Sequence, residues 1–366
     1  MTVNSKQLEN FLPVTFVFHP EWWYKTYGLS FEREFFYDPD TRVEADLSMR
    51  KILNERFGKY NIEKEARIEP RPCIGAVHLA AGYIISEMFG CEVKYTRDSS
   101  PQVISKNISD EEADKIEPVN FNKNETFQEL KKLIEQLRKK FGYVMGDINW
   151  QGVLNVALDI RGDEIFIDML KNPKRARRIF NAITETIKNF VNYVKSETGT
   201  SSISVNRAVK FVNPEINLHS NCSVVMISPN TYRDILLEYD IKLAKALQSY
   251  GIHHCGNNMH IYADSYAQVP GVSFFDVGWG SDITICREKL PKAFLNLRYD
   301  PVKMRQAQSD EVSADIQKTL KQSANPEKTG VCCINMGWDV PDKNIRAIVH
   351  TVDEYRKQST RKAKKR

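Results

Sequence analysis

From about residue 205 onward the sequence repeats one unit: a short apolar run, a turn, then an amphipathic helix. The clearest helix is ISPNTYRDILLEYDIKLAKALQSYG, with Ser228 as N-cap, Pro229 at the first helical position, and Ile235, Leu236, Tyr239, Leu243 and Leu247 at helical spacing. GIHHCG follows, then a helical MHIYADSYAQV, the strand-like VSFFDVG, a short helical ITICREKL and the strand-like AFLNLRYDP. The helix SDEVSADIQKTLKQ, the strand GVCCINMG and the helix KNIRAIVHTVDEYRKQ close the series. Strands separated by whole helices imply a parallel sheet with crossover helices. Four units in about 115 residues scale to about eight in the ~250 residues of a closed (β/α)8 TIM barrel, which is the expected fold. The first half keeps the theme less cleanly, in IGAVHLAAGYIISEMFG, VMGDINWQGVLNVALDIRGDE and the helix NPKRARRIFNAITETIKNFVNYVK. A doubly wound open sheet is the rival, but no glycine-rich phosphate loop follows any strand.

Composition narrows the class further. With 366 residues, 42% hydrophobic and 27% charged, the chain can build a large core. No apolar run approaches the roughly 18 residues of a membrane span. MTVNSKQLENFLPVTFVFHP lacks a basic n-region and a cleavage pattern, so a cytoplasmic protein is expected. Much of the net charge of +5 lies in KQSTRKAKKR (357–366), expected to be a solvated, disordered tail rather than a nucleic-acid contact. The seven cysteines are odd in number and scattered, which turns attention from disulfides to metal or thiol chemistry.

In a barrel, reactive residues belong at the C-terminal ends of strands. His253 and Cys255 in GIHHCGNN stand at i and i+2, so an extended segment points both to one face and His254 to the other. An imidazole and a thiolate suit zinc, which needs a third protein ligand for a catalytic site. Cys332 or Cys333, on the last strand, could supply it, but adjacent strand residues face opposite ways and only one can serve. A second cluster, NLHSNCS, brings His219, Asn221 and Cys222 to a strand end. Asp276 in FFDVGWG is a candidate pocket carboxylate, whereas Asp282 is placed to cap the helix ITICREKL. His219, Asn221 and Asp276 are the candidate catalytic groups. Trp150, Trp279 and Trp338 follow three strands and could wall one pocket or cover barrel ends. The aromatic FLPVTFVFHPEWWYKTYG is expected to cap the barrel bottom, with a lid as the alternative.

These residues, in this order, resemble the uroporphyrinogen decarboxylase superfamily, in its cobalamin-dependent methyltransferase branch. The resemblance runs from about residue 70 through EMFGCEVKYTRDSSPQV, WQGVLNVALDIRGDEIFIDMLKNP, ISPNTYRDILLEYD, HHCGNNMH and VPDKNIRAIVHTVDEY. It implies zinc held by His253, Cys255 and a distant cysteine, Cys332 or in its place Cys333, with His219, Cys222 or a carboxylate as substitutes. It also implies a corrinoid carried by a separate cobalamin protein, and a small methylated substrate. The aromatic N-terminus suggests an aromatic methyl ether. Domain bounds follow as an N-terminal extension packed on the barrel (1–65), the barrel (66–356) and the tail (357–366).

Alternatives are a decarboxylase of the parent type, a methylcobamide:thiol (coenzyme M-like) methyltransferase, and a non-catalytic scaffold. The parent decarboxylase works without metal through an N-terminal RQAGRY-like segment, where this chain reads HPEWWYKTYGLSFEREFFYDPDTR; MRQAQ (304–308) stands too late to replace it.

Overall fold

Short strands that are apolar on both faces are stable only inside a jacket of helices, and this sequence builds that arrangement. The structure, a computed structural model, describes residues 11–62, 64–76, 78–200, 209 and 216–363. Its strands are β1 (Val14–Phe18), β2 (Cys73–Gly75), β3 (Glu92–Lys94), β4 (Gln102–Ile104), β5 (Met145–Asp147) and β6 (Trp150–Gln151). They continue with β7 (Asn217–Ser220), β8 (Tyr250–His254), β9 (Val272–Val277), β10 (Phe294–Tyr299) and β11 (Thr329–Met336).

One sheet runs in the order β1-β11-β10-β9-β8-β7-β6, and every pairing in it is parallel. The parallel pair β2-β5 continues it, because β5 and β6 are interrupted only at Ile148 and Asn149. The result is a curled, TIM-barrel-like α/β fold, with no pairing between β1 and β2 among the described residues. The antiparallel hairpin β3-β4 lies apart from this arc.

Three parts of the chain sit differently from the expected plan. Val14–Phe18, expected in an extension laid on the barrel, is a strand of the sheet itself, registered on β11 from Val331 to Met336. The aromatic helix Pro20–Tyr27 begins where β1 ends, and His19 N donates to Met336 O at 2.9 Å. It therefore packs at the C-terminal rim and not at the bottom. Residues 357–363 of the expected tail continue the last helix, Asp342–Ala363, where basic residues suit the negative end of the helix dipole.

Alternation along the strands creates two apolar layers. Between sheet and helices lies the large core, which includes Ile252, Phe275, Leu295, Leu297 and Cys333. Inside the curl a smaller plug of Val17, Ile216, Leu218, Phe274, Phe294, Cys332 and Ile334 fills the lower half. Above that plug the inward-facing residues turn polar. No helix of the described residues is long and apolar enough to cross a membrane.

Candidate metal centre at the barrel mouth

The register of β7 to β10 brings four inward positions level: Ser220 pairs with His253, His253 with Asp276, and Asp276 with Asn296. His253 Nδ1 lies 2.6 Å from Asp276 Oδ2, and Asn296 Nδ2 donates to Asp276 Oδ1 at 2.7 Å. The carboxylate thus fixes both the ring plane and the tautomer that turns Nε2 toward the mouth. There Nε2 meets Cys255 Sγ at 2.9 Å, and Cys222 Sγ lies 3.1 Å from Cys255 Sγ. Cys222 opens the 3₁₀ turn Cys222–Met226, directly after β7. Asn221 N holds that turn to β8 by donating to His253 O at 2.8 Å.

The donor atoms of Cys222, His253 and Cys255 all lie within 4.8 Å of one another. Burial opposes charge on His253, but the Cys255 sulfur and the Asp276 carboxylate outweigh it and hold its pKa up to about 9. The Cys222 thiol, donated to Cys255, draws Cys255 well below the ordinary thiol range against its burial, and His253 adds to the effect. The same contact, with burial, holds Cys222 high. One imidazole nitrogen, two sulfurs and a carboxylate behind the imidazole form a donor set that suits zinc with a fourth position open.

Two glycines hold the cluster in place. A Cβ on Gly278, one residue beyond β9, would stand 1.9 Å from Gly256 O, so the two backbones meet where no side chain fits.

The cluster opens on a cavity of about 400 Å³. Ala80, Val103, Leu158 and Ile334 give it apolar walls, and Val103 comes from the β3-β4 hairpin. Asp159 also lines it; its Oδ2 accepts from Ser86 Oγ at 2.6 Å and Gln151 Nε2 at 3.0 Å. Burial raises the Asp159 pKa above the usual carboxylate range, although both donors pull the other way. Asn335 stands at the rim with φ of 59°, as the extra residue of a bulge opposite the step from Val17 to Phe18.

The expected third ligand lies elsewhere. Cys332 points into the inner plug, where its Sγ accepts from Asn296 Nδ2 at 3.1 Å, and burial keeps it a thiol. Cys333 faces the helices, and burial lifts its pKa to about 12. Neither lines the cavity, and the third donor of the candidate cluster is Cys222.

His219 and Asn221, expected as catalytic groups, do not line the cavity. His219 faces outward, stacked between Trp150 (6.1 Å) and Tyr250 (5.0 Å), and burial depresses its pKa to about 3. Asn221 donates to Asp240 Oδ2 at 2.8 Å in a buried knot with Tyr232 and Tyr250. Asp276 belongs to the site, as the partner of His253 and not on the cavity wall. Asp282 accepts from Ile285 N at 3.0 Å, capping its helix.

The three tryptophans do not share a pocket: Trp150 is buried on β6 beside His219, Trp338 is exposed beside Lys25, and Trp279 stacks on Arg298. Phe18, Trp22, Trp23 and Phe57 form their own buried stack.

Comparison with known proteins places the chain among relatives. The sequence model of the family described as uroporphyrinogen decarboxylase (URO-D) matches residues 76–355. A methyltransferase from Methanosarcina mazei superposes with a TM-score of 0.64 at 16% identity, covering 96% of this chain and 98% of that one. A B12-independent methionine synthase from Shewanella sp. W3-18-1 gives 0.48 at 10% identity, over 96% and 99% of the two chains. No curated protein matches the sequence. The Methanosarcina likeness is one of fold.

Proposed function

This chain belongs to the uroporphyrinogen decarboxylase family, and from that premise we propose that it is a zinc-dependent, corrinoid-linked methyltransferase. It moves a methyl group between a small methylated substrate and the corrinoid of a separate cobalamin protein. The observation that carries this reading is the convergence of Cys222, His253 and Cys255 at the mouth of a substrate-sized cavity. A decarboxylase gives three converging metal donors no task.

Zinc at this position would hold a thiol as thiolate or polarise the heteroatom that bears the methyl group. Asp276 keeps a proton on His253 Nδ1 and the ring in place, leaving Nε2 for the ion. Asp159, whose burial favours the protonated form, is the group that hands a proton to the departing heteroatom. Ala80, Val103, Leu158 and Ile334 keep water from the reacting centre. None of the aromatic side chains behind the idea of an aromatic ether lines the cavity, so the substrate is named here only as a small methylated compound. A docking surface for the corrinoid protein is supported by exposed apolar residues on the turns after three strands: Met226, Ile261 and Trp338.

The test is elemental analysis of wild type beside Cys255→Ala, followed by methyl transfer with a corrinoid protein. About one zinc per chain, lost in the variant together with transfer, is the expected result. A wild type that takes up no zinc would overturn the reading and return the decarboxylase or the scaffold.

A further inference from the structure

Among the described residues five arginines are buried: Arg42, Arg50, Arg161, Arg287 and Arg298. Four of them are fully occupied. Arg42 donates to the carbonyls of Phe35, Cys73 and Gly75. Arg50 holds Asp46, Glu65 and the Glu69 carbonyl. Arg161 holds Asp168, Asp110 and the Ile108 carbonyl. Arg287 donates to the carbonyls of Ser323, Leu290, Ala293 and Lys328.

Arg298 is the exception. It is 7% exposed, and its Nε has no hydrogen-bond partner. Its contacts are a long one, Nη1 to Cys255 O at 3.5 Å, the Cys255 sulfur, whose charge favours the guanidinium, and the Trp279 ring 4.8 Å away. No carboxylate among the described residues stands within ion-pair distance of it. A guanidinium keeps its charge at any physiological pH and offers five donors in a flat fork. Burying such a group with most of its donors unused is costly unless something else completes it. Arg298 lines the same cavity as Cys222, His253 and Cys255.

We propose that Arg298 is the anchor for an anionic group of the substrate, so that the methylated or methyl-accepting compound is a small carboxylate. The proposal rests on the methyl-transfer reading only for the word methyl; the anion site follows from the cavity itself. Because Arg298 reaches the backbone of Cys255, the carboxylate binds within a few bonds of the atom presented to the thiols and imidazole. The planar fork takes the carboxylate side-on in two parallel hydrogen bonds. Compounds with the carboxylate close to the heteroatom are therefore preferred over those with the two groups at opposite ends.

Calorimetric binding of two matched pairs to the zinc-loaded protein tests this without any turnover: 2-methoxybenzoate against anisole, and 3-mercaptopropionate against propanethiol. In at least one pair the wild type should favour the anion by roughly 10- to 100-fold, the worth of a charged hydrogen bond. Arg298→Met should erase that preference while leaving the neutral partner's affinity unchanged, and Arg298→Lys should keep part of it. Equal binding within both pairs, or no binding by any of the four compounds, would overturn the proposal, as would an anion preference that survives in Arg298→Met.

A role confined to balancing the Cys255 charge predicts lost zinc in Arg298→Met and no anion preference in the wild type. If Arg298→Met does not fold, Arg298→Lys and the wild-type preference decide. Anion preference without methyl transfer would leave this inference standing and remove the reading of the previous section.

Discussion

His253 and His254 are neighbours on one strand and almost equally buried, at 2% and 0% exposure, yet they are opposite in character. His254 faces the helices, where Tyr266 Oη (2.9 Å) and Asn258 Oδ1 (3.1 Å) meet its ring and burial lowers its pKa to about 4. His253 faces the barrel interior, where a sulfur and a carboxylate raise it to about 9. Burial alone depresses an imidazole. What separates the two rings is the charge opposite each face. The layer between sheet and helices depresses the imidazoles of His219 and His254, while the upper barrel interior gathers groups that stay reactive.

The widest gap between the two faces should show in the cysteines. Cys222→Ser should strip the zinc and Cys332→Ser should leave it, as elemental analysis would reveal; the reverse outcome would restore the ligand set expected from sequence.

The outward ring of His219 gives the next effect. Its folded pKa, about 3, lies below the ordinary 6.5. Between those values only the unfolded chain takes the proton, so its contribution to stability is lost as pH falls from 6.5 toward 3. The loss is about 1.4 kcal/mol per pH unit. Urea unfolding at pH 6.5 and 4.5 should show that part of the slope missing from His219→Phe, and an unchanged slope would refute the assignment.

Asp276→Asn should weaken zinc binding by about 10- to 100-fold, measured by competition with a chelator, because the imidazole loses the group that orients it. Smallest of all, His254→Phe should cost about 1–3 kcal/mol of stability through the partners it abandons, while zinc affinity stays within error of wild type.

The barrel was legible because its rhythm is periodic, and the pairing of His253 with Cys255 because the period of a strand is two. Which face a short polar run shows is a matter of register, and register is set by neighbouring strands. That is why His219, one residue before the inward Ser220, reads from sequence as a site residue and is a packed ring instead. Which strand's thiol meets Cys255 is equally silent, because that depends on how distant strands pack: Cys222 lies against Cys255 and Cys332 against Asn296. Arg298 did leave a signal. In FLNLRY the polar Asn296 and Arg298 alternate with Leu295, Leu297 and Tyr299, the mark of a polar interior face on a buried strand. Asp159 left none, since a lone acid in a helix looks like any solvated residue. The first strand was hidden because its aromatic surroundings read as a cover.

The contact between Gly256 and Gly278 has a consequence for anyone scanning this protein by substitution. Neither residue has a functional group, and an alanine at 278 would alter no charge and no proton. It would nonetheless push aside the peptide that carries Cys255 and score in an assay as the loss of a catalytic residue. At this site the map of sensitivity and the map of chemistry differ, and the most intolerant position is one that never meets the substrate.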